Sequence, residues 1–380
     1  MPFDALFVPP ALREAVSDRA WLRALLEAES ALAAAEARAG VIAQDAADAV
    51  AEACGAAFDV DELVDEGRKV GNVVEPLVRR LREEAPQAHW GATSQDILDT
   101  AAALISRNAL ALIQVELEQV AHACAQLAEQ YRSTVMAART LLQQAVPTTF
   151  GVKAASWLVG VVHARERLGA AGLPAQLGGA GGTLAALGDR GVDVLRAYAE
   201  ELELPEPVLP WHTRRLPLAE LGAALSVAAG FLGKIAVDIE LLAQTEVGEV
   251  REAADGGSST MPHKRNPVGS TLTRACAIRS QAASGVLLTT LAQEQERAAG
   301  AWHAEWGALS DALALTGGAA AWLGQTLAGL EVDAERMRAN IGAETLSEAA
   351  RFGIDAQRPE DYLGSAGAFV DRALAFYRGR

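Results

Sequence analysis

TSQDILDTAAALISRNALALIQVELEQVAHACAQLAEQY, residues Thr93–Tyr131, decides the fold. Leu110, Ile113, Leu117, Val120, Cys124, Leu127 and Tyr131 step by three and four, the spacing that lines one face of a helix with apolar side chains. No Gly or Pro occurs from Thr93 to Val146, so the pattern predicts an unbroken helix through that stretch. A helix this long with an apolar seam requires other long helices to cover it.

Those partners are present in the sequence. A second seam runs through Leu218, Leu221, Leu225, Ala228, Leu232, Ile235, Ile239 and Leu242, and further helical patterns cover Val152–Leu168, Pro267–Trp302 and Leu309–Leu330. Residues 11–40 carry Leu22, Leu25, Leu26 and Leu32 at helical spacing, and Gly40 is placed to end that helix. Shorter helical pieces run on to Pro86. Together with few aromatics and few β-branched runs, these patterns predict an all-α protein organised as a long antiparallel bundle. The expected division is an N-terminal helical domain (1–90), a central long-helix domain (91–333) and a short C-terminal segment (334–380).

The formal charge of −16 over 380 residues argues against general nucleic-acid binding and implies that any anion site gathers its cations locally. Cys54, Cys124 and Cys276 lie far apart without metal-ligand spacing, as expected of core thiols in a reducing compartment. Met1-Pro2-Phe3-Asp4 shows no signal-peptide pattern, so a cytoplasmic location is expected. Ala312–Leu330 is uncharged and close to membrane-span length, but Thr316, Gln325, Thr326 and four glycines mark it as a buried bundle helix.

Three breaks punctuate the helices. Gln176–Thr183 is glycine-rich, yet it follows no strand and has no Walker lysine, so close backbone approach is expected there instead of a phosphate cradle. The loop Leu204–Pro217 presents Trp211-His212-Thr213-Arg214-Arg215. The third break is Gly257-Ser258-Ser259-Thr260-Met261-Pro262-His263-Lys264-Arg265-Asn266-Pro267. Gly256 and Gly257 free the backbone to turn N–H groups toward a ligand, the three hydroxyls can exchange protons, and Lys264 and Asn266 add a cation and an amide. Pro267 suits the first turn of the following helix, which places the loop near the positive end of a helix dipole.

This loop resembles the G-S-S-x-M-P-x-K-x-N-P signature of the fumarase/aspartase superfamily, whose members add or remove a group across a carbon–carbon bond beside a carboxylate. The resemblance covers residues 5–340 and implies a homotetramer around a central multi-helix core, with shared active sites and no metal or organic cofactor. It makes Ser258 the group that exchanges a proton with carbon, and Lys264 and Asn266 the holders of a substrate carboxylate, with Ser259 and Met261 beside them. Thr93 and Ser94 match the family's carboxylate-binding pair at a helix N-terminus. Gln95 and His89 flank them, with His89 either a proton shuttle or a structural hydrogen-bonder. Asp18–Ile42 corresponds to a scaffold helix without catalytic duty.

A third stretch, Arg139–Gly151, adds Arg139 and Gln143 as substrate-binding candidates. Thr140-Leu141 stands where fumarases, argininosuccinate lyases and adenylosuccinate lyases have T-H, and Leu141 carries no proton. A leaving group that departs as a stable anion needs none. The sequence therefore resembles most the branch of 3-carboxy-cis,cis-muconate cycloisomerases, the lactonising enzymes of protocatechuate breakdown in the β-ketoadipate pathway. Arg214, where glutamine is common, is the candidate for a third carboxylate of a small tricarboxylate substrate, and Gln144 stands where some relatives have histidine. The rival readings are a lyase of the same superfamily expelling another stable anion, such as nitrite from a nitrosuccinate, an adenylosuccinate lyase, and a non-catalytic helical assembly protein.

Overall fold

The seam of Leu218, Leu221, Leu225, Ala228, Leu232, Ile235, Ile239 and Leu242 is buried along its whole length. Burying one such leucine or isoleucine contributes about 1.5–3 kcal/mol, so the seam outweighs helix-propensity differences of a few tenths of a kcal/mol per residue. The computed structural model describes residues 3–253, 256–257, 261 and 264–380.

In chain order, α1 (Asp4–Phe7), α2 (Pro10–Ala15), α3 (Asp18–Arg38), α4 (Gln44–Cys54), α5 (Val60–Gly67) and α6 (Val74–Glu84) precede the 37-residue α7 (Ser94–Gln130). A hairpin of β1 (Val135–Thr140) and β2 (Gln143–Thr149) leads into α8 (Phe150–Gly169), α9 (Gly191–Glu201) and α10 (Leu216–Leu242). Then come β3 (Val250–Glu252), the two-residue strands β4 (Gly256–Gly257) and β5 (Arg265–Asn266), α11 (Val268–Thr289) and α12 (Ala301–Ala328). The chain closes with β6 (Leu330–Val332), α13 (Ala334–Ala339), α14 (Ser347–Arg351) and α15 (Ala366–Arg378).

The bundle is formed by α7, α8, α10, α11 and α12, each packed on at least two of the others. Two expectations are corrected. The helix from Thr93 ends at Gln130, and Val135–Thr149 forms an antiparallel hairpin that pairs Arg139 with Gln144 and Thr140 with Gln143. The stretch Pro267–Trp302 is two helices, because α11 stops at Thr289 and Gly300, at φ 103, precedes the start of α12. Ala312–Leu330 lies inside the bundle: a side chain at Gly318 would sit 2.5 Å from the carbonyl oxygen of Phe7, so the glycine permits α1 to approach. Among the described residues no helix is long and apolar enough to cross a membrane. The three cysteines are free thiols, Cys124 and Cys276 fully enclosed.

After α12 the chain returns along the bundle. β6 pairs with β3, and α15 packs on α8 and α7, where Tyr377 donates to Glu118 at 2.6 Å.

Candidate functional site

The described residues among those expected at the site gather at the two ends of the bundle. At one end, α7 begins beside the glycine-rich turn and the Trp211–Arg215 loop. Asp96, fully buried, accepts the N–H groups of Thr93 (2.9 Å), Gly178 (2.8 Å) and Gly179 (2.9 Å), and its Oδ1 lies 2.6 Å from Nε2 of His212. The glycines permit this approach: a Cβ on Gly178 would meet His212 at 2.8 Å, and Gly179 has φ +70 with the carbonyl of Gly91 2.8 Å from its Cβ position. The turn grips a carboxylate of its own chain, and that carboxylate fixes Thr93 and Ser94 at the N-terminus of α7.

One turn further, Asp99 accepts Nη1 and Nη2 of Arg215 at 2.7 and 3.0 Å and Nε1 of Trp302 at 3.0 Å. Arg215 also pairs with Glu305 at 2.6 Å and lies over the ring of Trp211. Burial alone lowers the basicity of this guanidinium, but the two carboxylates outweigh it and hold Arg215 above its ordinary range. The two arginines of the loop therefore part company: Arg215 is an internal tie, whereas Arg214 is exposed and donates to the carbonyl of Leu209.

Gln95 is fully buried, with Nε2 on the carbonyl of His212 (2.8 Å) and on Asp99 (3.2 Å), and Oε1 accepting from Arg297 (3.2 Å). Its amide thus ties the start of α7 to the Trp211–Arg215 loop and to Arg297. His89 sits in the left-handed region, φ 62, with Nδ1 2.6 Å from Oε1 of the fully buried Glu29.

At the other end, Arg139 meets the fully buried Glu249 through Nη1 at 2.9 Å and Nη2 at 2.5 Å, and Asn340 donates to the same carboxylate at 2.9 Å. Gln144 spends its amide on the C-terminal segment, donating to the carbonyl of Asn340 (2.7 Å) and accepting from the N–H of Gly342 (2.9 Å). Gln143 is exposed on the hairpin, and Leu141 and Leu142 form its tip at φ 50 and 65, 97% and 73% exposed.

The signature loop lies at this same end, after α10. β4 pairs with β5, Gly256 opposite Asn266 and Gly257 opposite Arg265. The N–H of Lys264 donates to the carbonyl of Met261 at 3.0 Å; Lys264 and Met261 are exposed and Asn266 is half-buried. Ser258 and Ser259 lie outside the described residues. The loop's end meets the N-terminus of α11, as expected, with Pro267 immediately before the helix. Glu252 takes the N–H groups of Gly269 (2.8 Å) and Ser270 (2.9 Å) and the Ser270 hydroxyl (2.6 Å), so α11 is capped from within.

Within one chain the two groups stay apart. α7 has 37 residues, about 55 Å at 1.5 Å per residue, and α10 leads from the Arg215–Asp99 tie just before its start to Glu249, tied to Arg139, just after its end. His89, Thr93, Ser94, Gln95 and Arg214 stand at one end; Arg139, Gln143, Met261, Lys264 and Asn266 stand at the other. A cavity of about 280 Å³ between α3, α5 and α12 belongs to neither group: Trp21, Leu22, Leu63 and Trp306 line it, and its acids Asp18 and Asp311 disfavour an anion.

Sequence reading missed the carboxylates that organise both ends. Asp96 had a signal, since Thr93-x-x-Asp96 has the spacing of a capping box. Glu29, Glu249 and Glu252 had none, because each reaches a partner remote in sequence.

Comparison with known proteins identifies the family. A lyase family model matches residues 8–281. The chain is 44% identical to a 3-carboxy-cis,cis-muconate cycloisomerase of Pseudomonas aeruginosa, over 98% of this chain and 95% of that one. It is 48% identical to a nitrosuccinate lyase of Streptomyces davaonensis, over 88% and 76% of the two chains. The crystal structure of the 3-carboxy-cis,cis-muconate lactonizing enzyme from Pseudomonas putida superposes with a TM-score of 0.91 at 36% identity, covering 100% of this chain and 99% of that one. The two-ended bundle, the signature between β4 and α11 and these likenesses place the chain in the lyase family of the fumarase/aspartase superfamily.

Proposed function

We propose that this chain is a 3-carboxy-cis,cis-muconate cycloisomerase acting in the cytoplasm as a homotetramer. The observation that carries the reading is Leu141: the hairpin tip beside Gln143 is apolar and 97% exposed, with no group to protonate a departing atom. Cycloisomerisation makes no such demand. A substrate carboxylate oxygen bonds to one carbon of the diene, the π pair moves to the neighbouring carbon, and the extra charge spreads into the adjoining carboxylate as an enediolate. Ser258 gives that carbon its proton and regains one from water, so each turnover consumes one proton as a carboxylate becomes an ester. Lys264, Asn266, Thr93 and Ser94 hold carboxylates against this developing charge, and Arg214 takes the third.

The separation of the two groups of residues supports a site shared between chains, in which one chain's Thr93–Ser94 end meets another's signature loop. The side faces of α10 and α11 support it too, since Val227, Ile278, Val286 and Leu288 are exposed on bundle helices, an apolar surface suited to further helices. No nucleic acid or membrane takes part in this reading.

The likeness to a nitrosuccinate lyase favours a second reading, expulsion of nitrite, which Leu141 fits equally. An assay decides: purified protein is given 3-carboxy-cis,cis-muconate, unsubstituted muconate and nitrosuccinate in parallel. Fast loss of the diene absorbance with lactone in the product NMR is expected for the tricarboxylate, and Arg214→Gln is expected to weaken that substrate selectively. Nitrite release from nitrosuccinate with the tricarboxylate untouched assigns the lyase instead.

A further inference from the structure

Glu29 lies on α3, a helix expected to be pure scaffold, yet its side chain is fully buried and meets His89 through Oε1 at 2.6 Å. Its other oxygen, Oε2, has no hydrogen-bond partner. A carboxylate removed from water with one hydrogen-bonding neighbour relies on that neighbour for stabilisation, and here the neighbour is an imidazole. The ring of His89 is 11% exposed, and no described residue bonds its Nε2.

The backbone is arranged for this contact. His89 adopts φ 62, unusual for a non-glycine residue, and Gly91 follows at φ +69. Arg82 of α6 braces the turn by donating to the carbonyls of Ala88 (3.0 Å) and His89 (3.4 Å). Four residues later stands Thr93, the start of the expected carboxylate-binding pair. We propose that Glu29 is a positioning residue of the active site: it holds the Nδ1–H of His89, fixes the tautomer and orientation of the ring, and leaves Nε2 as the nitrogen that carries a proton at the Thr93–Ser94 end. This rests on the cycloisomerase reading only for the identity of the substrate.

The groups around the pair leave the imidazole this role. Glu36, seven residues along α3, has no partner on either oxygen and is pushed up to about 8 by burial and by Glu29. Cys54 of α4 is pushed up to about 12 by the same two causes, and burial raises Tyr198 of α9 well above its usual range. Burial pushes all three toward their protonated, uncharged forms, and Arg82 is engaged with backbone carbonyls.

The test uses the full-length protein with ¹⁵N-labelled histidine, the His89 signals being assigned by their loss in His89→Gln. In the wild type Nδ1 is expected to be protonated at pH 7. In Glu29→Gln the His89 nitrogen shifts are expected to move away from the single Nδ1-protonated form, and turnover of whichever substrate the wild type consumes to drop about a hundredfold with KM little changed. In a His89→Gln background, Glu29→Gln is expected to add no further loss. Unmoved His89 nitrogens, or an equal loss of turnover in the His89→Gln background, overturn the proposal. If Glu29→Gln does not fold, Glu29→Asp withdraws the carboxylate by one methylene and is read in the same way. The nitrogen shifts need no substrate, so a wild type inert toward the tricarboxylate removes the cycloisomerase reading while the pair is still judged by NMR.

Discussion

Nε2 of His212 lies 2.6 Å from Oδ1 of Asp96, two fully enclosed side chains that join the Trp211–Arg215 loop to the first turn of α7. The same carboxylate holds three backbone N–H groups, those of Thr93, Gly178 and Gly179. Removing it strands four donors at once. Asp96→Ala is expected to destabilise the protein by about 3 kcal/mol or more, seen as a lower denaturant midpoint, and to abolish turnover. Asp96→Asn, which keeps an acceptor, should be milder, and equal stability of both variants would show that the carboxylate is not what holds the turn.

Ser258→Ala should lose nearly all turnover while keeping helicity and assembly, because a methyl group exchanges no proton; Ser259→Ala should be milder. Mixing inactive Ser258→Ala with inactive Thr93→Val under subunit exchange should restore activity if sites are shared. Absence of recovery, with exchange proven by mass spectrometry, would place the site within one chain.

The hairpin tip invites a substitution that separates folding from function. Leu141 and Leu142 occupy both central positions of a two-residue turn at positive φ, where Asn-Gly is preferred. Leu141→Asn with Leu142→Gly should leave the hairpin at least as stable. If the leucines enter a neighbouring chain's site, turnover falls about tenfold or more and the assembly weakens on dilution, as read by light scattering. Unchanged turnover and mass would show that the tip stays in solvent.

Glu36 sets a pH dependence of stability. Its carboxyl, ordinarily near 4.5, is raised to about 8 by burial first and by Glu29 second. The unfolded chain releases this proton above pH 4.5 while the folded chain keeps it until about pH 8, so this group makes stability fall across that window and level off beyond it. Glu36→Gln should flatten the slope and stabilise the protein at pH 7 by about 2 kcal/mol. Denaturation midpoints at pH 5, 6.5 and 8 check this, and parallel curves for the two proteins would contradict it.

The bundle was legible because its information is periodic: the seams of α7 and α10 repeat every three or four residues, and they are the buried faces. The hairpin was not, because Val135–Thr149 has no Gly or Asn at its turn and Leu141-Leu142 reads as helix. The signature loop was legible as a mark of the family through its ordered hydroxyls, cation and amide. What other candidate residues lean on was hidden: Glu29 reaches across 60 positions to His89 and Glu249 across 110 to Arg139. Such pairings depend on how helices pack, and a single sequence carries no periodic mark of that. Gln144 shows the limit well, since its amide bonds to Asn340 and Gly342 follow from where the C-terminal segment lies.

The rod of α7 fixes an angle as well as a distance. Inserting one residue into it would swing Thr93 by about 100° around the axis relative to the Arg139 hairpin, whereas seven would turn it only about 20° while moving it about 10 Å outward. A site assembled from opposite ends of identical rods tolerates neither change. The length of α7 therefore acts as a vernier, and among relatives built this way length variation should fall in the loops and the C-terminal segment and spare the long helices.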